Sequence, residues 1–191
     1  MCSSDLVEFH RELHACSGLT ETRRERGYMI GLSNLRLLVV DDNEQMRTII
    51  GAVLIGAGIR DLRFAPDGRR GLEAMRAFQL DVVFVDYEMP IMHGLDFLSA
   101  VRSLETEAKF TPVIMLTGHA DMLRLNQARD RGVTEFLAKP VTAKSILTRL
   151  NAVIYHQRPF VDSDHYFGPD RRRQTLEYSG PFRRASDTTE D

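Results

Sequence analysis

The chain has 191 residues, of which 43% are apolar and 27% are charged, a composition typical of a globular protein. Twenty-five Lys and Arg residues against 27 Asp and Glu residues give a net charge of -2, so no global positive field attracts nucleic acid or an acidic membrane. No apolar run reaches the roughly 18 residues of a membrane span, and the first residues lack a signal-peptide pattern. The two cysteines, Cys2 and Cys16, cannot form a disulfide framework, and we expect a cytoplasmic protein.

Residues 1–34 form an N-terminal extension that we expect to be partly helical or disordered. It opens with an amphipathic stretch that contains Leu6, Phe9 and Leu13. His10, His14 and Cys16 have a spacing that could hold a metal ion, but a solvated helix is the favoured interpretation. Met29 is an alternative start site just before the first predicted strand.

Between residues 35 and 157, short apolar runs alternate with longer segments of helical periodicity. The five strand candidates are residues 35–40, 61–65, 82–85, 113–116 and 134–138. The segment Asp121 to Arg131 has the weakest apolar pattern, so its helix should be the most exposed. Five strands and five helices predict a doubly wound parallel sheet in a three-layer α/β/α arrangement.

Residues 158–191 lack apolar periodicity, and we expect a C-terminal tail without an independent core. The tail contains a Tyr-x-Gly-Pro-x-Arg-Arg repeat, whose candidate interaction residues are Tyr166, Arg171, Arg172, Tyr178, Arg183 and Arg184. A solvated tail is the favoured interpretation. Because the segment has five aromatic residues, docking of these elements on a partner or on the preceding domain is the alternative. Nucleic-acid binding is less favoured, since six arginines are offset by seven acidic residues.

Polar side chains follow four of the predicted strands. Asp41 and Asp42 follow the first, Asp86 the third, Thr117 the fourth and Lys139 the fifth. With the strand order 2-1-3-4-5, these strand ends lie on one edge and the three carboxylates converge beside the point where the winding direction reverses. Three carboxylates so close repel one another unless a cation lies between them, and Mg²⁺ suits this ligand chemistry. The residues together are suited to phosphoryl transfer onto Asp86.

These residues resemble the receiver domain of two-component response regulators, and the resemblance covers residues 35–157. The matching motifs are VVDDN at residues 39–43, VDYEMPIMHG at 85–94, MLTG at 115–118 and FLAKP at 136–140. The family is flavodoxin-like in fold. Similarity to it implies a chain that accepts a phosphoryl group from a sensor histidine kinase or a phosphotransfer protein.

The resemblance also implies roles for single residues. Asp86 is the phosphoacceptor and one of the metal residues; Asp42 binds Mg²⁺ directly, Asp41 acts chiefly through water, and the backbone carbonyl of Glu88 completes the ligands.

Four further positions follow from the same resemblance. Lys139 and Thr117 hold phosphoryl oxygens, and Phe136 rotates into the space that Thr117 leaves on activation. The Lys139-Pro140 bond resembles the cis peptide of the family. From residue type alone, Phe136 is first of all a core aromatic, so its switching role depends on the resemblance.

Two positions depart from the family pattern. Glu88 stands where small or amide residues are common, and His93 replaces an acidic residue usual before Gly94. Both lie beside the expected path of attacking water. We therefore expect Glu88 to change the lifetime of the phosphorylated form, in a direction that the sequence leaves open.

The favoured function is a single-domain response regulator that switches a protein-binding surface, either as an adaptor or as a phosphorelay intermediate. It is not an enzyme beyond its own phosphoryl transfer and autodephosphorylation. The alternative is a Mg²⁺-dependent small-molecule phosphotransferase or phosphatase of the haloacid dehalogenase type, but such enzymes usually have Asp at the position of Glu88. A structural alternative for Asp42 or Asn43 is capping of the first helix.

Overall fold

The computed structural model of the chain describes residues 32–118, 122–163 and 165–171. Five strands of this part form a parallel sheet: β1 (Arg36–Val40), β2 (Asp61–Ala65), β3 (Val82–Asp86), β4 (Val113–Thr117) and β5 (Glu135–Ala138). Their order is β2-β1-β3-β4-β5 and every neighbouring pair is parallel. The predicted fold class and strand order are confirmed.

Strand β2 has the predicted bounds, and each of the other four strands differs from the prediction by one residue at one end. Strands β3 and β4 include Asp86 and Thr117, because Asp86 pairs with Leu116 and Thr117 pairs with Ala138. Strand β5 begins after Thr134, whose hydroxyl oxygen accepts the backbone N–H of Val113. The side chains of Asp86 and Thr117 are therefore held by the sheet itself.

Five helices cover the two faces of the sheet: α1 (Glu44–Gly56), α2 (Gly68–Ala77), α3 (Gly94–Arg102), α4 (Met122–Asp130) and α5 (Ala143–Tyr155). Residues of α1 and α5, such as Leu54 and Leu150, pack in one core cluster. Met75 of α2, Phe97 of α3 and Ala128 of α4 pack in the second cluster, on the other face. Short 3-10 helices cover Leu32–Asn34 and Glu107–Phe110.

Helix α4 is the least buried of the five, as its weak apolar pattern predicted. Ala128 is the one buried residue among those that the structure describes in this helix. None of the helices in the described ranges has the length and apolar character needed to cross a bilayer.

The start of the C-terminal tail differs from the solvated coil favoured above. Residues after α5 form an antiparallel hairpin of β6 (Phe160–Ser163) and β7 (Tyr166–Pro169). The rings of Phe160 and Phe167 meet Phe110 of the main domain with centroid distances of 5.3 and 5.4 Å. The hairpin thus has no core of its own, but it completes an aromatic cluster with a residue that lies 50 positions earlier.

The hairpin also approaches the backbone of the loop between α4 and β5. Gly132 has a φ of +83°, and a Cβ atom there would lie 2.7 Å from the carbonyl oxygen of Phe167. A Cβ atom on Gly168 would lie 2.6 Å from the Cα atom of Gly132. Both positions therefore require glycine for this contact.

Candidate functional site

Three carboxylates meet at the carboxyl end of the sheet. Ligand atoms of Asp41, Asp42 and Asp86 lie within 4.8 Å of one another. Asp41 and Asp86 are buried, with 0% and 5% of their surface exposed, whereas Asp42 is exposed. The predicted convergence of these carboxylates is therefore present in the structure.

The loop after β1 aims these carboxylates. The backbone N–H of Asn43 donates to Oδ1 of Asp41 over 2.8 Å, and the Asn43 side chain accepts from two backbone N–H groups of the first turn of α1. Of the two residues that the sequence offered as caps of the first helix, Asp42 and Asn43, it is Asn43 that caps α1. Asp42 instead belongs to the carboxylate cluster.

Gly94 lets the loop after β3 close tightly over Asp86. The N–H of Gly94 donates to the carbonyl oxygen of Tyr87 over 3.0 Å. A Cβ atom on Gly94 would lie 2.2 Å from the carbonyl oxygen of Asp86, so a larger residue would push α3 away from the acceptor. The lack of space for a Cβ atom therefore explains the glycine at position 94 of this motif.

Lys139 lies opposite the carboxylates. Its Nζ atom is 2.8 Å from Oδ1 of Asp86 and 3.4 Å from Oδ2 of Asp41. The backbone N–H of Lys139 donates to the carbonyl oxygen of Thr117 over 2.8 Å, which fixes the loop after β5. The Lys139-Pro140 peptide bond is cis.

The charges of this cluster are not balanced. Burial raises the pKa of Asp86 above its ordinary value, although the hydrogen bond and charge of Lys139 oppose the rise. Burial likewise raises the pKa of Asp41, against the N–H of Asn43 and the charge of Lys139. Burial would lower the pKa of Lys139, but the two carboxylates outweigh it and the pKa is raised.

Thr117 and Phe136 occupy neighbouring strands. Thr117 is buried at the end of β4, with 3% of its surface exposed. Phe136 in β5 is half-buried and packs against the second core cluster. The structure thus places Thr117 at the carboxyl end of β4, on the sheet edge that carries the carboxylates, and Phe136 on the adjacent strand.

Glu88 contacts helix α4, which the sequence did not predict. Its carboxylate accepts from the guanidinium of Arg124, and the Glu88 side chain is 61% exposed. The same guanidinium lies 5.2 Å from the ring centre of Tyr87. Opposite charges on the two segments were the available signal, but their separation of 36 positions hid the pairing. His93 precedes α3 at its N-cap position without a side-chain capping bond.

Two of the predicted tail residues belong to the hairpin region. The Tyr166 hydroxyl donates to the carbonyl oxygen of Pro169 over 2.6 Å, and Arg171 forms an ion pair with Asp130. The other predicted tail residues, Arg172, Tyr178, Arg183 and Arg184, lie outside the described residues, as do His10, His14 and Cys16.

The arrangement suits a hard divalent cation. Two buried carboxylates with raised pKa values and one exposed carboxylate favour a positive ion between them, and oxygen ligands suit Mg²⁺. The carboxylates that could hold such an ion among the described residues are those of Asp41, Asp42 and Asp86. The donor set therefore fits Mg²⁺ on its chemistry.

Comparisons with known proteins agree with this geometry. The family model described as "Response regulator receiver domain" matches residues 37–151. The chemotaxis protein CheY-3 of Vibrio cholerae serotype O1 is 33% identical over 120 residues, which cover 63% of this chain and 92% of that protein. The sensory/regulatory protein RpfC of Xanthomonas campestris is 30% identical over 146 residues, which cover 76% of this chain and 20% of RpfC.

Solved structures show the same fold. Chemotaxis protein CheY4 of Vibrio cholerae has a TM-score of 0.60 and 32% identity, with 63% of this chain and 98% of that chain covered. The receiver domain of the sensor histidine kinase PA1611 of Pseudomonas aeruginosa, solved with magnesium in its active site cleft, has a TM-score of 0.57 and 25% identity, over 61% of this chain and 94% of that one. This chain belongs to the response regulator receiver domain family.

Proposed function

We propose that the protein is a single-domain response regulator in which Asp86 accepts a phosphoryl group from the phosphohistidine of a histidine kinase or phosphotransfer protein. The observation that carries this proposal is the position of Asp86, at the end of a central strand and 2.8 Å from the ammonium group of Lys139. A buried carboxylate that faces both a lysine and two further carboxylates is suited to covalent phosphoryl transfer. Output then depends on a protein contact.

The chemical step follows from these positions. A carboxylate oxygen of Asp86 forms the new bond to phosphorus, while the bond from phosphorus to the donor's imidazole nitrogen breaks and the imidazole keeps the electron pair. Lys139 then moves its charge from the Asp86 carboxylate to the phosphoryl oxygens. The Thr117 hydroxyl is buried at the adjacent strand end and supplies a further hydrogen bond.

Asp41, Asp42, Asp86 and the backbone carbonyl of Glu88 would hold Mg²⁺. When bound, this ion offsets the negative charge of the phosphoryl group. The PA1611 receiver domain, with magnesium in its active site cleft, supports this assignment.

Phosphorylation should change a surface through Thr117 and Phe136. If Thr117 moves toward the phosphoryl group, the Phe136 ring can enter the space that it leaves. The two surface states then differ in population, which is how such a site can control a partner. The adaptor and relay roles share this chemistry.

Glu88 should change the lifetime of the phosphorylated form, because its side chain follows the acceptor by two positions and reaches Arg124. Replacement of Glu88 by Asn should change the rate of phosphoryl loss. An unchanged decay rate in Glu88→Asn would remove this role.

The test is phosphorylation by acetyl phosphate in the presence of Mg²⁺, followed by intact mass measurement. The wild-type protein should gain one phosphoryl group, and Asp86→Asn should gain none. Asp81→Asn is the matched control, since Asp81 pairs with Arg36 at the other end of the sheet and should leave the adduct intact. No adduct on the wild type, or an equal adduct on Asp86→Asn, removes the proposal.

The small-molecule phosphotransferase alternative has a separate readout, turnover of a chromogenic phosphate ester. The family match gives that alternative no support. We expect no such turnover.

A further inference from the structure

A cavity of about 260 Å³ lies between α4, β5 and the C-terminal hairpin. Three arginines line it: Arg129 from α4, Arg158 from the segment before β6 and Arg171 from the segment after β7. Phe136, Tyr166 and Pro169 give the cavity an apolar wall. No Asp or Glu belongs to the described lining, so the charged side chains in this wall are all arginines.

Two of the arginines are fixed in place without losing their charge. Arg158 donates to the backbone carbonyl of Asp170 over 2.7 Å and also to the carbonyl of Thr134. Arg171 lies 4.2 Å from the ring centre of Tyr166 and 3.1 Å from the carboxylate of Asp130. Because the Arg171 and Asp130 side chains are 50% and 64% exposed, solvent screens this pair and it is weak.

Arg129 differs from Arg158 and Arg171 in its contacts with the rest of the chain. It forms no hydrogen bond or ion pair with any described residue, although its neighbours Arg131 and Asp130 both do. The hairpin is already held by the aromatic cluster and by the contact of Gly168 with Gly132. Arg129 is therefore not needed to attach the hairpin, and within the described residues no group occupies its guanidinium.

We propose that this cavity binds a small molecule that carries a phosphate group on a planar ring, as a nucleoside monophosphate does. Guanidinium groups bind phosphate through paired hydrogen bonds, and the fixed side chains of Arg158 and Arg171 reduce the ordering cost of binding. Phe136, Tyr166 and Pro169 offer apolar contact to the ring. The volume is slightly below the usual range for ligand cavities, which favours a compact ligand.

None of the three arginines contacts the carboxylate cluster in the described structure, so binding at this site does not require phosphorylation of Asp86, although Phe136 lines the cavity and is also the proposed switch residue. Arg172 and Arg173 follow Arg171 directly in the sequence and add positive charge to the same segment of the chain. The proposal thus concerns a second site on the same chain.

The test is calorimetric titration of the full chain with AMP, with adenosine and inorganic phosphate as partial ligands. AMP should bind, and both partial ligands should bind more weakly. Arg129→Met should weaken AMP binding by about tenfold, the size of one charge-assisted contact. Arg131→Met is the matched control, because Arg131 follows the same helix but pairs with Asp96 instead.

Three results overturn the proposal: no binding of AMP, equal binding of adenosine and AMP, or equal effects of Arg129→Met and Arg131→Met. Asp86→Asn should bind AMP as the wild type does. If Asp86 does not accept a phosphoryl group, the proposed AMP site is unaffected. If AMP does not bind, the proposed phosphorylation of Asp86 is unaffected.

Discussion

At the carboxyl end of the sheet three carboxylates converge and two of them, Asp41 and Asp86, share one lysine, whereas at the amino end of β4 and β5 a buried arginine, Arg102, is surrounded by backbone carbonyls. Arg102 donates to the carbonyl oxygens of Gly132, Lys109 and Thr111 over 3.0, 2.6 and 2.9 Å. Burial lowers its pKa to about 10, so it remains charged at neutral pH.

Buried charge therefore has two uses in this molecule. Neutral carbonyls disperse the charge of Arg102, and these hydrogen bonds join the end of α3 to the connection before β4 and to the loop before β5, which is a structural role. The carboxylates of Asp41 and Asp86 repel one another and favour a cation, which is a functional role at some cost in stability. Removal of the charge should consequently have opposite effects at the two ends of the sheet.

The largest expected effect is at the amino end. Arg102→Met should lower the free energy of unfolding by about 3 kcal/mol, because three carbonyls, two of them in fully buried hydrogen bonds, lose their donor while the side-chain volume is nearly kept. Denaturant unfolding measures the loss. Arg131→Met removes the same charge from an exposed pair and should cost under about 0.5 kcal/mol; similar losses in both variants would assign Arg102 no special role.

Gly132→Ala should cost about 2 kcal/mol, since it adds a strained positive φ to a clash with the backbone of Phe167. Gly58→Ala is the matched variant, because Gly58 has a φ of +100° but open space around a Cβ atom. It should cost about 1 kcal/mol, the strain alone. Hydrogen exchange should show faster exchange in residues 160–169 only for Gly132→Ala, and equal protection in both variants would deny the hairpin contact.

At the carboxyl end of the sheet, removal of a buried charge should raise the stability of the folded state instead of lowering it. In the absence of divalent cations, Asp41→Asn should raise the melting temperature by a few degrees, because it removes a buried negative charge whose pKa burial has raised. Calorimetry in the presence of a chelator measures this. A lower melting temperature would show that the ion pair with Lys139 outweighs the burial of the charge.

The pH dependence of the free energy of unfolding also arises from the burial of the Asp41 carboxylate. A raised pKa means that the folded state binds the Asp41 proton more tightly than the unfolded state does, so the free energy of unfolding falls as the pH rises from about 3.8 through the higher folded pKa. Below 3.8 both states are protonated and the penalty is absent. Asp41→Asn should flatten this part of the stability profile, and an unchanged slope would count against the assignment.

A smaller effect is expected in the loop after β3. Ile91 has a φ of +72°, unusual for a β-branched residue, and its side chain is 75% exposed. Ile91→Gly should raise the free energy of unfolding by about 0.5 kcal/mol, because relief of strain exceeds the entropy cost of glycine. A clear loss of stability would show that the Ile91 side chain makes a contact worth more than the strain.

The sheet and the carboxylate cluster were predictable from sequence because their signals are local. Apolar runs such as residues 37–40 and 82–85 mark the buried strands, and the parallel order then brings their ends together. Asp41, Asp42 and Asp86 could thus be placed at one edge of the sheet from the sequence alone.

The hairpin and the Arg102 site were not predictable in this way. Strand β6 carries two polar residues in four positions, and the aromatic partner of Phe160 lies 50 residues earlier in the chain. The separation between Arg102 and Gly132 is 30 positions, and nothing in the local pattern marks a buried arginine. Tertiary contacts, rather than local propensity, fix these features.

The most direct test of the contrast between the two ends is the melting temperature of the wild type and of Asp42→Asn across a Mg²⁺ titration. Binding to the folded state alone raises the melting temperature with ligand concentration. The wild type should gain stability with Mg²⁺, and Asp42→Asn should gain far less. A wild-type melting temperature that does not change with Mg²⁺ would contradict the assignment of the carboxyl end as a cation site.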